Sequence, residues 1–501
     1  MQEQVGPYRM LPRAPGGLGT GGAGRTGDAG GAGDVPWYVM PFDAAGRSKA
    51  PATRAHLLET VRRESFTNIF LFSHGWNNDW RAATARYEAF FDEFRRVRAA
   101  HSPDAPSAFK PLLIGVFWPS TSLVLPWERA PRFAAAGAAG SAEARRAAVH
   151  QFDARADELD QCVDALASEV PAAQRGRFYE LVGATSLDAA EVTELATMVA
   201  PTLGALDDAV EQQDDPDGTD SAASELAEAW ASGARVLEQL ESPRTSRDED
   251  DDDDFGVARP DGSADPEADS VAPRPAGLVR SLDPRNVLRM ATVWKMKDRA
   301  GTVGFHGVGP LLRELLAAAA TDGGRGRVHL IGHSYGAKVV MSALASAPVP
   351  RPVRSALLLQ PAFSHLAFAA RVPGANHPGG YRVTLDRIEQ PILATFSPHD
   401  VALRRTFHLA VRRRADLGEA RIAALHNAAP SRFAALGGFG PGGMDETEAR
   451  ITKIPETGAS YDPLLAADGK VIGLDGTGVI NGHGDIVRAE TAWALLAQVL
   501  R

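Results

Sequence analysis

The residues of this chain best suited to chemistry lie in the stretch VHLIGHSYGAKVVMSAL, Val328 to Leu344. It sets Ser334 between Gly332 and Gly336 in a Gly-His-Ser-Tyr-Gly pentapeptide, after an apolar strand pattern and before a small-residue helix pattern. A serine hydroxyl is a weak nucleophile until a base takes its proton. A Gly-x-Ser-x-Gly turn contributes geometry: its glycines allow a reversal sharp enough to present the serine at the carboxyl edge of a sheet and at a helix N-terminus. The pentapeptide alone also fits a plain strand-to-helix turn. A chemical role requires a base, an acid and donors for a developing oxyanion elsewhere in the chain.

Presenting such a turn takes a mostly parallel sheet, and the sequence offers one in two blocks. In the first, VPWYVMPFD reads as a short strand and HLLETVRRES as a helix. The continuous apolar run Ile69 to Phe72 reads as a buried parallel strand. Tyr87, Phe90, Phe91 and Phe94 then recur at helical spacing, and PLLIGVFWPS is a further strand ending at Pro119. In the second block, strand and helix alternation resumes at MATVWKMKDRAGTVG and GVGPLLRELLAAAA, followed by the Ser334 segment. RSALLLQPAF and QPILATFSPHD are two more apolar strands. The last stretch is a Gly-rich loop and an amphipathic helix carrying Ile486, Trp493, Leu496 and Leu500.

This alternation predicts an α/β fold, a mostly parallel central sheet with helices on both faces. Residues 35–125 and 285–501 together make roughly 300 residues, suitable for one such domain. Residues 1–34 read as a disordered Gly-rich tail. Residues 126–245 read as a helical insertion, and 246–284 as a disordered acidic linker. The run Asp248 to Asp254 is acidic throughout, and its charges repel one another.

Composition excludes several function classes. Lys and Arg total 53 against 63 Asp and Glu, a net charge of −10 that disfavours nucleic acid as a partner. Cys162 is the lone cysteine, so neither an intramolecular disulfide nor a cysteine zinc site is available. The first residues lack an apolar core of signal-peptide length, and no apolar run reaches bilayer thickness. A cytoplasmic location without a transmembrane segment is the expectation, and frequent Ala, Arg and Gly suggest a bacterial genome. No His/Asp/Glu set has metal-ligand spacing and no dinucleotide or Walker loop is present, so no metal or cofactor is expected.

With these motifs in this order, the chain resembles an α/β-hydrolase. It is particularly similar to a bacterial group of uncertain function with an His-Gly-Trp-Asn-Asn loop and a Gly-His-Ser-Tyr-Gly turn. The resemblance covers residues 35–125 and 285–501 and implies Ser334 as nucleophile, followed in the chain by an acid and then a histidine. It places oxyanion donors at the N–H groups of Tyr335 and of Trp76, in FSHGWNND, with His74 and Gly75 as the loop signature. A structural turn is the alternative for His74-Gly75.

For the acid, two strand ends are eligible. One leads to Gln360, which is not a carboxylate. The other leads to Asp400, read as the acid or, alternatively, as a helix N-cap. Chain order leaves His408, His426 and His483 and excludes His333, His365 and His399. His483, between two glycines in INGHGDI, is favoured over the other two, which lie in Arg- and Ala-rich segments. Asn77, Asn78 and Asp79 read as bracing the oxyanion loop or hydrogen-bonding within it, Asp298 and Arg299 as a structural ion pair rather than a substrate clamp, and Asp485 as the N-cap of the final helix.

The resemblance thus implies a serine hydrolase working through an acyl-enzyme on a small-molecule ester or related acyl substrate. The same residues suit an acyltransferase, and the fold also suits a non-catalytic interaction module with the acidic insertion as its binding surface. The stretch TSLVLPWERAPRF, with Leu123, Val124, Leu125 and Trp127, reads either as a lid or pocket wall or as part of a cap buried for stability.

Overall fold

Strands that are apolar on both faces must be covered twice, and the chain folds accordingly. A computed structural model describes residues 5–11, 34–101, 109–120, 167, 170–184, 186–199, 296–320, 326–373, 377–407, 434–466 and 469–501. Its strands are β1 (Arg9–Leu11), β2 (Val35–Pro41), β3 (Asn68–Ser73), β4 (Pro111–Phe117), β5 (Arg327–His333), β6 (Ser355–Leu359), β7 (Ile392–Phe396), β8 (Ala449–Lys453) and β9 (Val471–Asp475). They form one mixed sheet in the order β1-β2-β4-β3-β5-β6-β7-β9-β8, parallel throughout except for β1 against β2. The two sequence blocks therefore share one sheet, joined where β3 pairs with β5.

The longer helices are α1 (Pro51–Arg63), α2 (Trp80–His101), α3 (Arg175–Gly183), α4 (Ala189–Val199), α5 (Gly309–Ala318), α6 (Tyr335–Ala345) and α7 (Ala489–Leu500). Residue alternation along β3 explains the layers. Ile69 and Leu71 join a core with residues of α1, α5 and α6, while Phe70 and Phe72 face α2 and α7. The Phe72 ring sits 4.8 Å from Tyr87 and 5.3 Å from Phe90, so the aromatic stripe of α2 interlocks with the centre of the sheet.

The site follows from strand order. From β3 the chain passes through α2 to β4 on one side, then returns to β5 on the other. Such a reversal leaves a crevice at the carboxyl ends of the two diverging strands. Register brings Ser73 beside Gly332, so the residues after β3 meet the residues after β5 there.

Several expectations need correction. The tail predicted over 1–34 is not structureless throughout. Residues 9–11 pair with β2, and the Tyr8 ring lies edge-on to Trp37 at 5.0 Å. Burial of Leu11 and the contacts of Tyr8 with the rings of Trp37 and Trp80 anchor this short edge strand despite its Gly-rich neighbourhood. MATVWKMKDRAGTVG supplies no strand among its described residues: 296–302 are helical and run through a π-helical segment, Val303–Val308, into α5. The final helix begins at Ala489, which leaves Ile486 in the preceding loop, and Leu500 is exposed. Strands β8 and β9 were not foreseen. Within the insertion, α3 and α4 are described. Cys162, Leu123 to Trp127 and the linker 246–284 lie outside the described residues. Among the described residues no helix is long and apolar enough to cross a membrane.

Candidate active site

Ser334 occupies the sharp turn between β5 and α6 with φ 56° and ψ −126°. A non-glycine residue held there costs about 1–3 kcal/mol, so its surroundings must over-determine it. They do so with backbone. Ser334 N–H donates to Leu359 O (3.1 Å), and Ser334 O accepts from Ala337 N–H (3.0 Å) and Ala362 N–H (3.2 Å). The flanking glycines are needed for close approach. A Cβ on Gly332 would strike the Ala337 backbone, and one on Gly336 would strike the carbonyls of Ser73 and His74.

The structure brings Asp400 and His483 to this serine. His483 Nδ1 lies 2.8 Å from Asp400 Oδ2, and His483 Nε2 lies 2.8 Å from Ser334 Oγ. Asp400 Oδ2 also accepts from Gln360 Nε2 at 3.0 Å. An oxygen accepting twice places the imidazole proton on Nδ1 and leaves Nε2 to accept from the serine hydroxyl. The other oxygen, Oδ1, accepts Leu403 N–H at 3.0 Å. The two oxygens of Asp400 are thus divided: Oδ1 caps a helical turn and Oδ2 faces His483 Nδ1. The carboxylate is fully buried, and Ser334 is only 3% exposed. His408 and His426 lie outside the described residues.

Although glycines flank it, the His483 loop is tied at three of its carbonyls. Ser397 Oγ donates to Ile480 O (2.8 Å), Gln360 Nε2 to Gly482 O (3.0 Å), and His333 Nε2 to His483 O (2.8 Å). These three side chains stand at the carboxyl ends of β7, β6 and β5. Asp485 closes the loop from within by accepting Asn481 N–H at 3.0 Å, and it pairs with Arg488. Its expected role as N-cap of α7 falls to Arg488, which exchanges bonds with Thr491, because the helix starts four residues later.

The loop after β3 passes on the other side of Ser334, where a Cβ on Gly75 would sit 2.7 Å from that of Ser334. His74 braces the loop by every polar atom it has. Its N–H donates to the Tyr87 hydroxyl (2.8 Å), Nδ1–H donates to Gly75 O (2.8 Å), and Nε2 accepts from Trp118 N–H (3.3 Å). That pattern needs a neutral ring, and burial pushes the His74 pKa down to about 4. Asn78 Nδ2 holds Gly75 O (3.1 Å) and Trp76 O (2.8 Å), while Asn77 N–H and Asn78 N–H bond to Ser120. Asp79 bonds forward instead of across the loop: its Oδ1 accepts Ala82 N–H at 2.6 Å in the first turn of α2. Arg299 donates to Pro119 O at 2.8 Å and ties the 296–302 helix to the end of β4.

Trp76 and Tyr335, the two expected oxyanion donors, flank the turn with rings 6.3 Å apart. Tyr335 is the first residue of α6, where backbone N–H groups face outward and the helix dipole is positive. Phe178 and Leu181 of α3, and Val192 and Leu195 of α4, are buried in the same apolar cluster as Trp76 and Tyr335. The described part of the insertion thus belongs to the core on the site's side of the sheet.

Gln360, Ser397, His333 and Ser120 were missed as contributors. Their common signal was position, since each lies at or just beyond a strand's carboxyl end, where side chains reach neighbouring loops. No family model matches the chain, and neither a curated protein nor a solved structure matches it.

Proposed function

We propose that this chain is a serine hydrolase of the α/β-hydrolase fold that cleaves carboxylic esters through an acyl-enzyme. The observation that carries the reading is the unbroken chain Asp400–His483–Ser334, with 2.8 Å at each link and the serine on a strained strand-to-helix turn. The strand order and the sequence order Ser, Asp, His support the fold assignment.

In this reaction His483 Nε2 takes the Ser334 proton as Oγ bonds to the substrate carbonyl carbon, and the carbonyl electrons move onto oxygen. Trp76 and Tyr335 N–H groups receive that oxyanion. Collapse breaks the bond to the alcohol oxygen, which leaves with the proton from His483. Water, deprotonated by His483, then attacks the acyl carbon and releases the acid, with Ser334 regaining its proton. Asp400 keeps the imidazole in the required tautomer and balances its charge.

Hydrolysis of p-nitrophenyl esters from acetate to decanoate tests this reading. Wild type turns over at least one ester, and Ser334→Ala lowers kcat by about a million-fold, as when a nucleophile of this kind is removed. Turnover that survives in purified Ser334→Ala would overturn the assignment.

A further inference from the structure

His333 is a buried imidazole within the nucleophile turn, yet it has no role in the chemistry proposed above. We propose that Arg86 and His333 form a positioning relay, in which Arg86 fixes the His333 tautomer and His333 Nε2–H holds the backbone of His483. The inference rests on His483 being the base.

The polarity of the relay follows from which atoms can donate. Arg86, on α2, places Nη1 3.2 Å from His333 Nδ1. A guanidinium has donors only, so Nδ1 must accept and the single ring proton must sit on Nε2. That proton faces His483 O at 2.8 Å, and a carbonyl can only accept. Every contact agrees with one neutral tautomer. Burial, and then the Arg86 charge, holds the His333 pKa well below its ordinary value, so a second proton is resisted. The rings of His333 and His483 lie 5.1 Å apart.

The relay has a further contact on the opposite side. A Cβ on Gly75 would lie 3.0 Å from His333 Nδ1, so one imidazole abuts both the loop of Trp76 and the loop of the base. A histidine serving only to fill space would need neither an arginine on one nitrogen nor a carbonyl on the other. Here the consequence is geometric: the carbonyl of the base residue itself is fixed relative to the residue preceding the nucleophile. Small displacements of a reacting group carry large kinetic costs.

The test uses the full chain, with the second-order rate of fluorophosphonate labelling and kcat and KM for p-nitrophenyl butyrate as readouts. His333→Leu is expected to slow labelling and kcat about 30-fold while KM stays within about 3-fold, the pattern of lost orientation rather than lost binding. His333→Gln offers an amide N–H near the Nε2 position and should return to within about 3-fold of wild type. Arg86→Met releases the tautomer and should slow both rates about 5-fold, with Arg86→Lys recovering most of the loss. Folded His333→Leu that labels at the wild-type rate, or His333→Gln no faster than His333→Leu, overturns the relay. Should His333→Leu not fold, Arg86→Met decides, and an unchanged rate there overturns it equally. Wild type that never labels removes the Ser334 reading and the relay together, whereas labelled wild type with insensitive variants removes the relay alone.

Discussion

The turn of Ser334 and the loop of His483 bring two side chains together by opposite means. The serine turn is packed backbone against backbone. Gly332 and Gly336 have no room for a Cβ, and the serine itself sits at positive φ. The histidine loop is hung from side chains, with Ser397, Gln360 and His333 each holding one of its carbonyls. Gly482, beside the histidine, has nothing within 4 Å of where a Cβ would stand. A backbone device demands particular residues at fixed spacing, whereas a side-chain device tolerates many sequences that supply a donor at the right place. This difference explains why one loop is a motif and the other is not.

The sharpest contrast lies in what each side loses on substitution. Asp400→Asn keeps the shape but offers His483 a donor where it needs an acceptor, and kcat for esters should fall about 10⁴-fold through the wrong tautomer. A loss under tenfold would mean that the loop ties alone orient the base. Gly336→Ala drives a methyl into the carbonyls of Ser73 and His74, and should destabilise the protein by about 3 kcal/mol in urea unfolding. A near-neutral result would remove the claim that backbone contact sets the nucleophile turn.

Acid should attack the nucleophile side through its buried histidines. His74 is neutral in both states above about pH 6.5; below that only the unfolded chain takes the proton, until about pH 4 in the folded state. Its depressed pKa therefore contributes stability above pH 6.5 that is lost on acidification, about 2 kcal/mol between pH 6.5 and 5. Urea midpoints at the two pH values measure this, and His74→Asn should flatten the slope. Gln360→Leu removes the donor shared by Asp400 and Gly482 and should lower kcat about tenfold, which is roughly one charge-assisted hydrogen bond. Gly482→Ala, at the other extreme, should change stability by less than about 0.5 kcal/mol despite its place beside His483. A large loss there would show a loop that depends on glycine.

The same distinction governs what was legible in the sequence. The central strands announced themselves because burial on both faces makes them continuously apolar, as in Ile69 to Phe72. Ser334 was legible because its turn demands two glycines. Asp400 and His483 were reached by chain order, and the structure brings both to Ser334. Less was visible where physics leaves choice. Strand β8 is mostly exposed or half-buried at the sheet edge, so its sequence carries no apolar run. Asp485 precedes a helix at a distance that fits several caps, and only the actual start at Ala489 shows that Arg488 takes that place. Gln360 was passed over because it cannot be a carboxylate, though its amide turned out to bind one. Residue 86 was one arginine among many on a helix, and nothing in its spacing pointed to His333.

The most direct test of the account is covalent labelling of the full chain with a fluorophosphonate, located by mass spectrometry of the peptide spanning Val328 to Leu344. The account predicts one adduct on Ser334 in wild type, none in Ser334→Ala, and strongly slowed formation in His483→Ala. Folded wild type that takes no label, or takes it on a residue other than Ser334, would contradict it.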